Sequence, residues 1–362
     1  MKKIFLLTAM IVAGMMVTSC SNDDEQVNTD SQTGVVALKA EVVPMNALYE
    51  GDRSGVSRAI TAEYENSIND MHIVAFDAEG NKIYHVYSPM YSENPYTTLL
   101  NLGEAHKGET VTIYAIANVG HADLFTKVDN GVNYKKADFD QLNVRPYQDN
   151  VNNISNGNFV LRSGTGTDLA VISNSQSPIM VSQPLQVTVA NNGLTSATLR
   201  FIRQDTKITI NIVPQKMKIH QYKICKVPLI SYLFSQGTNV ANVEFRDLDV
   251  VEIPEEDKAK TISKQSFHVF ENYNPISASI LKQTDRYESN IPAGSNPTYV
   301  DIVGTPDGYS GNYNYRVYLG GVDSENVIRY EYFTLLRNYE YYLTVKIAGD
   351  GTGDPRVTKL SN

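Results

Sequence analysis

Along much of this chain apolar residues fall at every second position, and that period admits few folds. Val36, Leu38, Ala40 and Val42 alternate with Ala37, Lys39 and Glu41. Ile208, Ile210 and Ile212 alternate with Thr209 and Asn211, and Tyr341, Leu343, Val345 and Ile347 with Tyr342, Thr344 and Lys346. Successive side chains of an extended strand point to opposite faces, so each run builds one face of a sheet. Clusters of turn-forming residues separate the runs, such as Asp77-Ala78-Glu79-Gly80-Asn81 and Asn191-Asn192-Gly193, which punctuate hairpins. The chain has no Trp but 23 Tyr, a residue that suits a half-buried pleated surface. One short helix is expected over 135–142.

Strands at this spacing, without regular helices between them, predict an all-β chain built of antiparallel β-sandwiches rather than a parallel sheet with crossover helices. A length of 362 residues suits two of them in tandem. The loop 190–195 follows the apolar run 185–189 and precedes a long pair of strands over 197–213, so it marks the division. An amino-terminal domain is expected at 35–193 and a carboxy-terminal one at 194–362. The short linker predicts two domains packed end to end with limited freedom.

The chain opens with Lys2-Lys3, continues with an apolar run over 4–17, and reaches Thr18-Ser19 before Cys20. A positive start, a short apolar stretch and small residues before a cleavage point make a secretory signal peptide, too short to span a bilayer as an ordinary helix. Residues 1–19 are expected to be removed. The residues Val17-Thr18-Ser19-Cys20 resemble the lipobox of bacterial lipoproteins, which implies that Cys20 carries a diacylglyceryl group and becomes the new amino terminus. At about 0.8 kcal/mol per buried methylene, two or three acyl chains anchor far more firmly than one. Residues 20–34 are then a lipidated acidic tether on the cell outer membrane. The run Ser21-Asn22-Asp23-Asp24-Glu25 is similar to the surface-export signal of lipoproteins in the Bacteroides group, and reads equally as a solvated leash. Few apolar residues lie between 22 and 34, so a flexible segment is expected there, with the folded body starting near Val35.

Charge and composition exclude several functions. The net charge is −9, from 40 acidic and 31 basic residues, and no basic cluster could track phosphates, so nucleic acid is not an expected partner. Beyond the opening run, no stretch of about 18 apolar residues suggests a second membrane attachment. The second cysteine, Cys225, lies in the apolar run 224–230 and reads as a small buried hydrophobe. The histidines, His72, His85, His106, His121, His220 and His268, never take the four-residue spacing of a helical zinc pair. Gly308-Tyr309-Ser310-Gly311 lacks the extra residue of a nucleophile elbow. Glu255-Glu256 sits beside Asp257 and Lys258 as a solvated charge run. No phosphate loop or dinucleotide fingerprint is present, and no catalytic residue, metal or cofactor is expected; the chain does not read as an enzyme.

Four segments carry a likeness to a known family. Ser57-Arg58-Ala59, then Ile68 and 73–80, look like an arginine loop followed by a strand. Tyr114-Ala115-Ile116-Ala117-Asn118-Val119 is similar to a central "ala-asn-val" strand. Leu199-Arg200 and Arg203-Gln204-Asp205-Thr206-Lys207-Ile208 resemble the opening of a second domain. Phe267 to Asn272, 315–320 and Leu336-Arg337-Asn338-Tyr339-Glu340-Tyr341-Tyr342-Leu343-Thr344-Val345 resemble its closing strands. In that order and spacing they resemble the fimbrillins, or type V pilins, of Bacteroides and Porphyromonas. The resemblance implies a fimbrial (pilus) subunit lipoprotein with two transthyretin-like domains.

The resemblance also implies how such a subunit assembles. A surface protease cuts after an arginine in the loop that follows the first strand, and a strand of the next subunit takes its place by β-augmentation. Here the first strand is read at 35–43, with Val36, Leu38, Ala40 and Val42 on its buried face. The loop 44–57, with Arg58 at its end, supplies the candidate cleavage points: Arg58 first and Arg53 second, both also readable as ordinary solvated loop residues. Other fimbrial subunits are the implied partners, together with the outer membrane through the lipid before processing, and a host or bacterial surface receptor. After 341–347, Gly349, Gly351, Gly353 and Pro355 break any strand, and Val357 and Leu360 are too few to make a donor. That predicts a chain that accepts a strand without donating one, as at a fimbrial tip, contributing to adhesion; a base anchor is the competing role. A second reading is a surface glycan-binding or nutrient-capturing lipoprotein, with Tyr309, Tyr313 and Tyr315 stacking on sugar rings.

Overall fold

The computed structural model describes residues 33–50, 67–89, 96–120, 124–125, 134–155, 157–173, 177–235, 244–321, 323, 327, 329–351 and 353–360, and of 46–50 the backbone. Their regular structure is almost entirely β-strand, and most pairings are antiparallel. The expected all-β architecture of tandem sandwiches is what the chain adopts. One short α-helix, α1 (Lys136–Asp140), falls inside the span expected for it.

The first sheet has seven strands. They are β1 (Val35–Val42), β3 (Asp70–Phe76), β4 (Lys82–Pro89), β5 (Tyr96–Asn101), β6 (Thr110–Ala117), β10 (Met180–Thr188) and β11 (Thr195–Arg203), in the spatial order β4-β3-β6-β10-β11-β1-β5. β3 and β4 form the hairpin expected at Asp77–Asn81, where the Asp77 N–H donates to the Asn81 carbonyl at 3.0 Å. Met71, Ile73, Ala75, Val111, Ile113, Leu199 and Phe201 are 0 % exposed, and they share one cluster with Val36, Leu38 and Leu100. Residues on one face of a flat sheet would be open to water, so full burial against their own sheet requires the sheet to fold over. The bend is visible in β10. β10 pairs with β11 only over Met180–Ser182, and its register with β6 shifts between Ser182 and Leu185, where Pro184 removes a ladder donor. One layer is β4-β3-β6-β10 and the other β11-β1-β5. Where their free edges come together, the Tyr96 hydroxyl donates to Ser88 at 2.7 Å.

The second half stacks two further sheets. One is β18-β12-β21-β2, from β2 (Asn46–Glu50), β12 (Asp205–Gln215), β18 (Ile262–Phe270) and β21 (Tyr339–Ala348). The other is β17-β13-β19-β20-β22, from β13 (Met217–Cys225), β17 (Val251–Glu252), β19 (Tyr299–Pro306), β20 (Tyr313–Tyr318) and β22 (Val357–Lys359). The alternating set Ile208, Ile210 and Ile212, with Tyr341, Leu343, Val345 and Ile347, faces this core, as the period of two predicts. Three pairings among the described strands run parallel: β1 with β11, β12 with β21, and β2 with β21. Cys225 is fully buried, as expected.

A smaller sheet ties the halves together. It contains β7 (Asn143–Pro146), β8 (Asn158–Arg162), β9 (Asp168–Ser173) and β15 (Ser231–Tyr232), in the order β15-β7-β8-β9. β15 comes from the second half and pairs with β7 of the first. Nearby β14 (Val227–Pro228) pairs with β16 (Phe245–Arg246). One hydrophobic cluster runs through this region from Val74 to Ile347. Loop 190–195 joins β10 to β11, which pair only at their far ends, and the chain passes into the second half at Gln204, between β11 and β12. Turn-forming composition marks a hairpin and a linker alike.

Asn118, the centre of the "ala-asn-val" segment, follows β6 with a φ of 65°, a left-handed conformation that Asn tolerates better than most residues. Its Oδ1 accepts from the Asn69 N–H at 2.8 Å, and its Nδ2 donates to the carbonyls of Ser67 at 3.0 Å and Pro178 at 2.7 Å. That clasp fixes the entries to β3 and β10 together.

Candidate functional site

β1 lies in a slot of the first sheet. It runs parallel to β11, with Val36 opposite Thr195 and Val42 opposite Phe201, and antiparallel to β5, with Val35 opposite Asn101 and Ala40 opposite Tyr96. β5 is last in the sheet, so among the described strands β1 is what joins it to the rest. Val36, Leu38 and Ala40 are 0 %, 1 % and 3 % exposed, and Val42 packs half-buried on the same cluster. Burying a Val or Leu side chain contributes about 1.5–3 kcal/mol. With backbone pairing on both sides as well, fraying alone does not empty the slot.

The chain leaves β1 at Val43, whose N–H donates to the Phe201 carbonyl at 2.8 Å. It crosses at Pro44 and pairs again as β2, parallel to β21 at the end of a sheet in the second half. One segment over 35–50 therefore completes a sheet in each half. The loop expected over 44–57 thus contains a strand. Pro44 is a turn signal, and a five-residue strand leaves too short a period to read.

Asn338 holds the crossing. Its Nδ2 lies 3.3 Å from the carbonyl oxygens of both Val43 and Pro44. Its own N–H donates to the Asp205 carbonyl at 2.9 Å, and its Oδ1 accepts from the Arg203 N–H at 3.3 Å. Its φ is 61°, again left-handed.

Beneath the crossing lies a buried polar network. Arg203 grips Asp205 through Nε and Nη2, both at 2.9 Å, and His268 sits on the same carboxylate. Burial alone would raise the Asp205 pKa; the charges of Arg203 and His268 outweigh it and hold the carboxyl well below the usual range. Arg337 pairs with Glu271 and donates to Gln204 Oε1 at 2.8 Å and to the carbonyls of Tyr232 and Leu233 at 2.7 and 2.9 Å. Buried charge is tolerated only when it is matched, as it is here. The segments that carry the family resemblance, 203–208, 267–272 and 336–345, converge on this joint. Among the described residues no three His, Cys, Asp or Glu side chains gather as a metal site.

Val36, Leu38, Ala40 and Val42 share the inner face of β1. Cys20 with Val17, Thr18 and Ser19, and both Arg53 and Arg58, lie outside the described residues. β2 was missed by sequence reasoning, and Asn338 was named only within a segment of family likeness, without a role. Asn338 carried a signal, an Asn amid β-formers at the entry to a strand. The carboxy-terminal segment expected to hold no strand contains β22, antiparallel to β20. Of the tyrosines expected in a sugar-stacking loop, Tyr309 is 49 % exposed, while Tyr313 and Tyr315 are 9 % and 6 % exposed and belong to the core.

These features define the chain as a double β-sandwich whose first segment completes both halves. That fold is shared with solved proteins. A "putative cell adhesion protein" from Parabacteroides distasonis aligns at 16 % identity and a TM-score of 0.52, over 87 % of this chain and 88 % of that one. Another, from Bacteroides eggerthii, aligns at 13 % identity and a TM-score of 0.53, over 91 % and 95 %. Residues 267–345 match the family model for the domain of unknown function DUF4906, well short of half the chain. Compared by sequence with curated proteins, the chain matches none.

Proposed function

We propose that this protein is a structural subunit of a cell-surface fimbria, contributing to adhesion. It is exported as a lipoprotein acylated at Cys20 to the outer membrane, and assembled there by protease-triggered strand exchange. The observation that carries the reading is the seat of 35–50. This segment completes a sheet in each half, and its covalent link to the rest of the body runs through 51–66, where Arg53 and Arg58 lie. A cut there severs the strap from the rest of the chain. Its departure leaves β11, β5 and β21 with unpaired N–H and C=O groups and an apolar floor, a template that another subunit's strand can occupy. The fold shared with the two adhesion-named proteins supports the same reading.

In this reading the body keeps two domains, but the division expected at 193/194 moves to Gln204, because β11 pairs with β10 and β1 of the first sheet. β22 is held against β20, which supports a subunit that accepts a strand without donating one, as at a fimbrial tip. The glycan-binding alternative keeps Tyr309 as its exposed aromatic platform.

The test is expression of the chain in its own cells as wild type, Arg58→Ala, Arg53→Ala and the double variant. Wild type should yield a core starting at residue 54 or 59 by mass spectrometry, and label at filament tips in immunogold microscopy. The double variant should keep its strap and stay out of filaments. Filament incorporation of an uncut double variant overturns the strand-exchange reading.

A further inference from the structure

We infer that the slot between β5 and β11 selects its occupant by size order: an incoming strand must present a large residue where Leu38 sits and a small one where Ala40 sits. The inference rests on the strand-exchange reading and names the chemistry of the partner strand.

The registers carry it. Directly opposed residues in neighbouring strands place their side chains on the same face, about 5 Å apart. At the level of Leu38 the inward neighbours are Ala197 on β11 and Thr98 on β5, both small. At the level of Ala40 they are Leu199 and Tyr96, both large. Leu199 is 0 % exposed and Tyr96 packs on the same cluster, its hydroxyl tied to Ser88 at 2.7 Å. The slot is therefore wide at one level and narrow at the next, and the first strand matches it with a large and then a small side chain. The packed interior behind it leaves no slack to exchange the two levels, because a closely packed core resists both cavities and extra methylenes. The partner is a β-strand of another subunit with alternating apolar residues. Running in the direction of β1, it carries a large residue at the second inward position and Ala, Ser or Gly at the third.

The full-length chain, folded and then nicked within 51–66 by a trypsin-like protease, is mixed with labelled synthetic peptides. One has the sequence of residues 33–45. The other has the same composition with the two positions exchanged, Leu38→Ala with Ala40→Leu. The native peptide should replace the bound strap, and the exchanged peptide should do so about tenfold less well or worse, the effect of one overpacked site. Equal incorporation of both overturns the size rule while leaving strand exchange standing. Incorporation of neither overturns strand exchange itself. A second measurement needs no nicking: in the intact chain Ala40→Leu should lower the melting temperature, and Tyr96→Ala added to it should restore part of the loss. An Ala40→Leu chain as stable as wild type would also sink the size rule.

Discussion

Asn338 reaches Val43, 295 positions earlier in the chain, and its Nδ2 donates to the Val43 carbonyl at 3.3 Å. The same nitrogen lies 3.3 Å from the Pro44 carbonyl, so one amide holds the strap where it passes from one half to the other. Asn338→Gly keeps the left-handed backbone and deletes the clamp. Stability should fall by about 1 kcal/mol per lost hydrogen bond, and amide exchange should quicken at 43–50 while the β12 and β21 amides stay protected. Unchanged exchange at the crossing would show that the amide holds nothing.

Arg337 and Glu271 are a second case of distant residues joined. Arg337→Ala strands the Glu271 carboxylate in the interior, at a cost of about 3–5 kcal/mol. Arg337→Met combined with Glu271→Leu removes both charges and should cost less than Arg337→Ala alone. Denaturant unfolding of the two variants decides it, and a double variant less stable than the single one refutes the account.

Burial, reinforced by the carboxylates of Asp301 and Asp247, pushes the Cys225 thiol up to about 12. A Cys20→Ser chain, which leaves Cys225 as its one thiol, should resist alkylation at pH 8 when folded and react within minutes in denaturant. Rapid labelling of the folded chain would contradict the placement of Cys225.

His72 and His85 face each other across β3 and β4. His72 Nε2 donates to the Gly120 carbonyl at 2.8 Å, which leaves its Nδ1 to accept from His85 Nε2 at 3.0 Å. Burial, with the His72 ring and the Lys82 ammonium alongside, lowers the His85 pKa to about 4. The unfolded chain takes up this proton below about pH 6.5, whereas the folded chain refuses it until about pH 4. The stability linked to His85 is therefore complete above that range and is lost as pH falls through it. Melting temperatures at pH 7, 5.5 and 4.5 should drop more steeply for wild type than for His85→Gln; identical slopes would reject the linkage.

What the sequence revealed depended on range. Period-two alternation is local, and it located β1, β12 and β21 with the correct inward faces. The turn at 77–81 was legible because Gly and Asn set backbone conformation over a few residues, and the short helix near 136 falls within the span read for it. Partner choice is not local. Nothing in Thr195–Arg203 says that it pairs with β10 and β1 and not with β12, and nothing in Val36–Val42 says that β11 lies parallel to it. β2 and β22 were lost because strands of five and three residues leave no period to count. Arg203, Glu271, Arg337 and Asn338 were singled out by likeness alone, and their convergence on one joint beneath the strap is the physical reason they belong together.

A strand flanked on both sides, as β1 is by β5 and β11, resists tension differently from one at a sheet edge. Pulled along its own axis, it loads every hydrogen bond on both flanks in shear at the same moment, whereas an edge strand peeled sideways breaks them in turn. The β1 segment is therefore held in the first sheet by mechanical arrangement as well as by affinity.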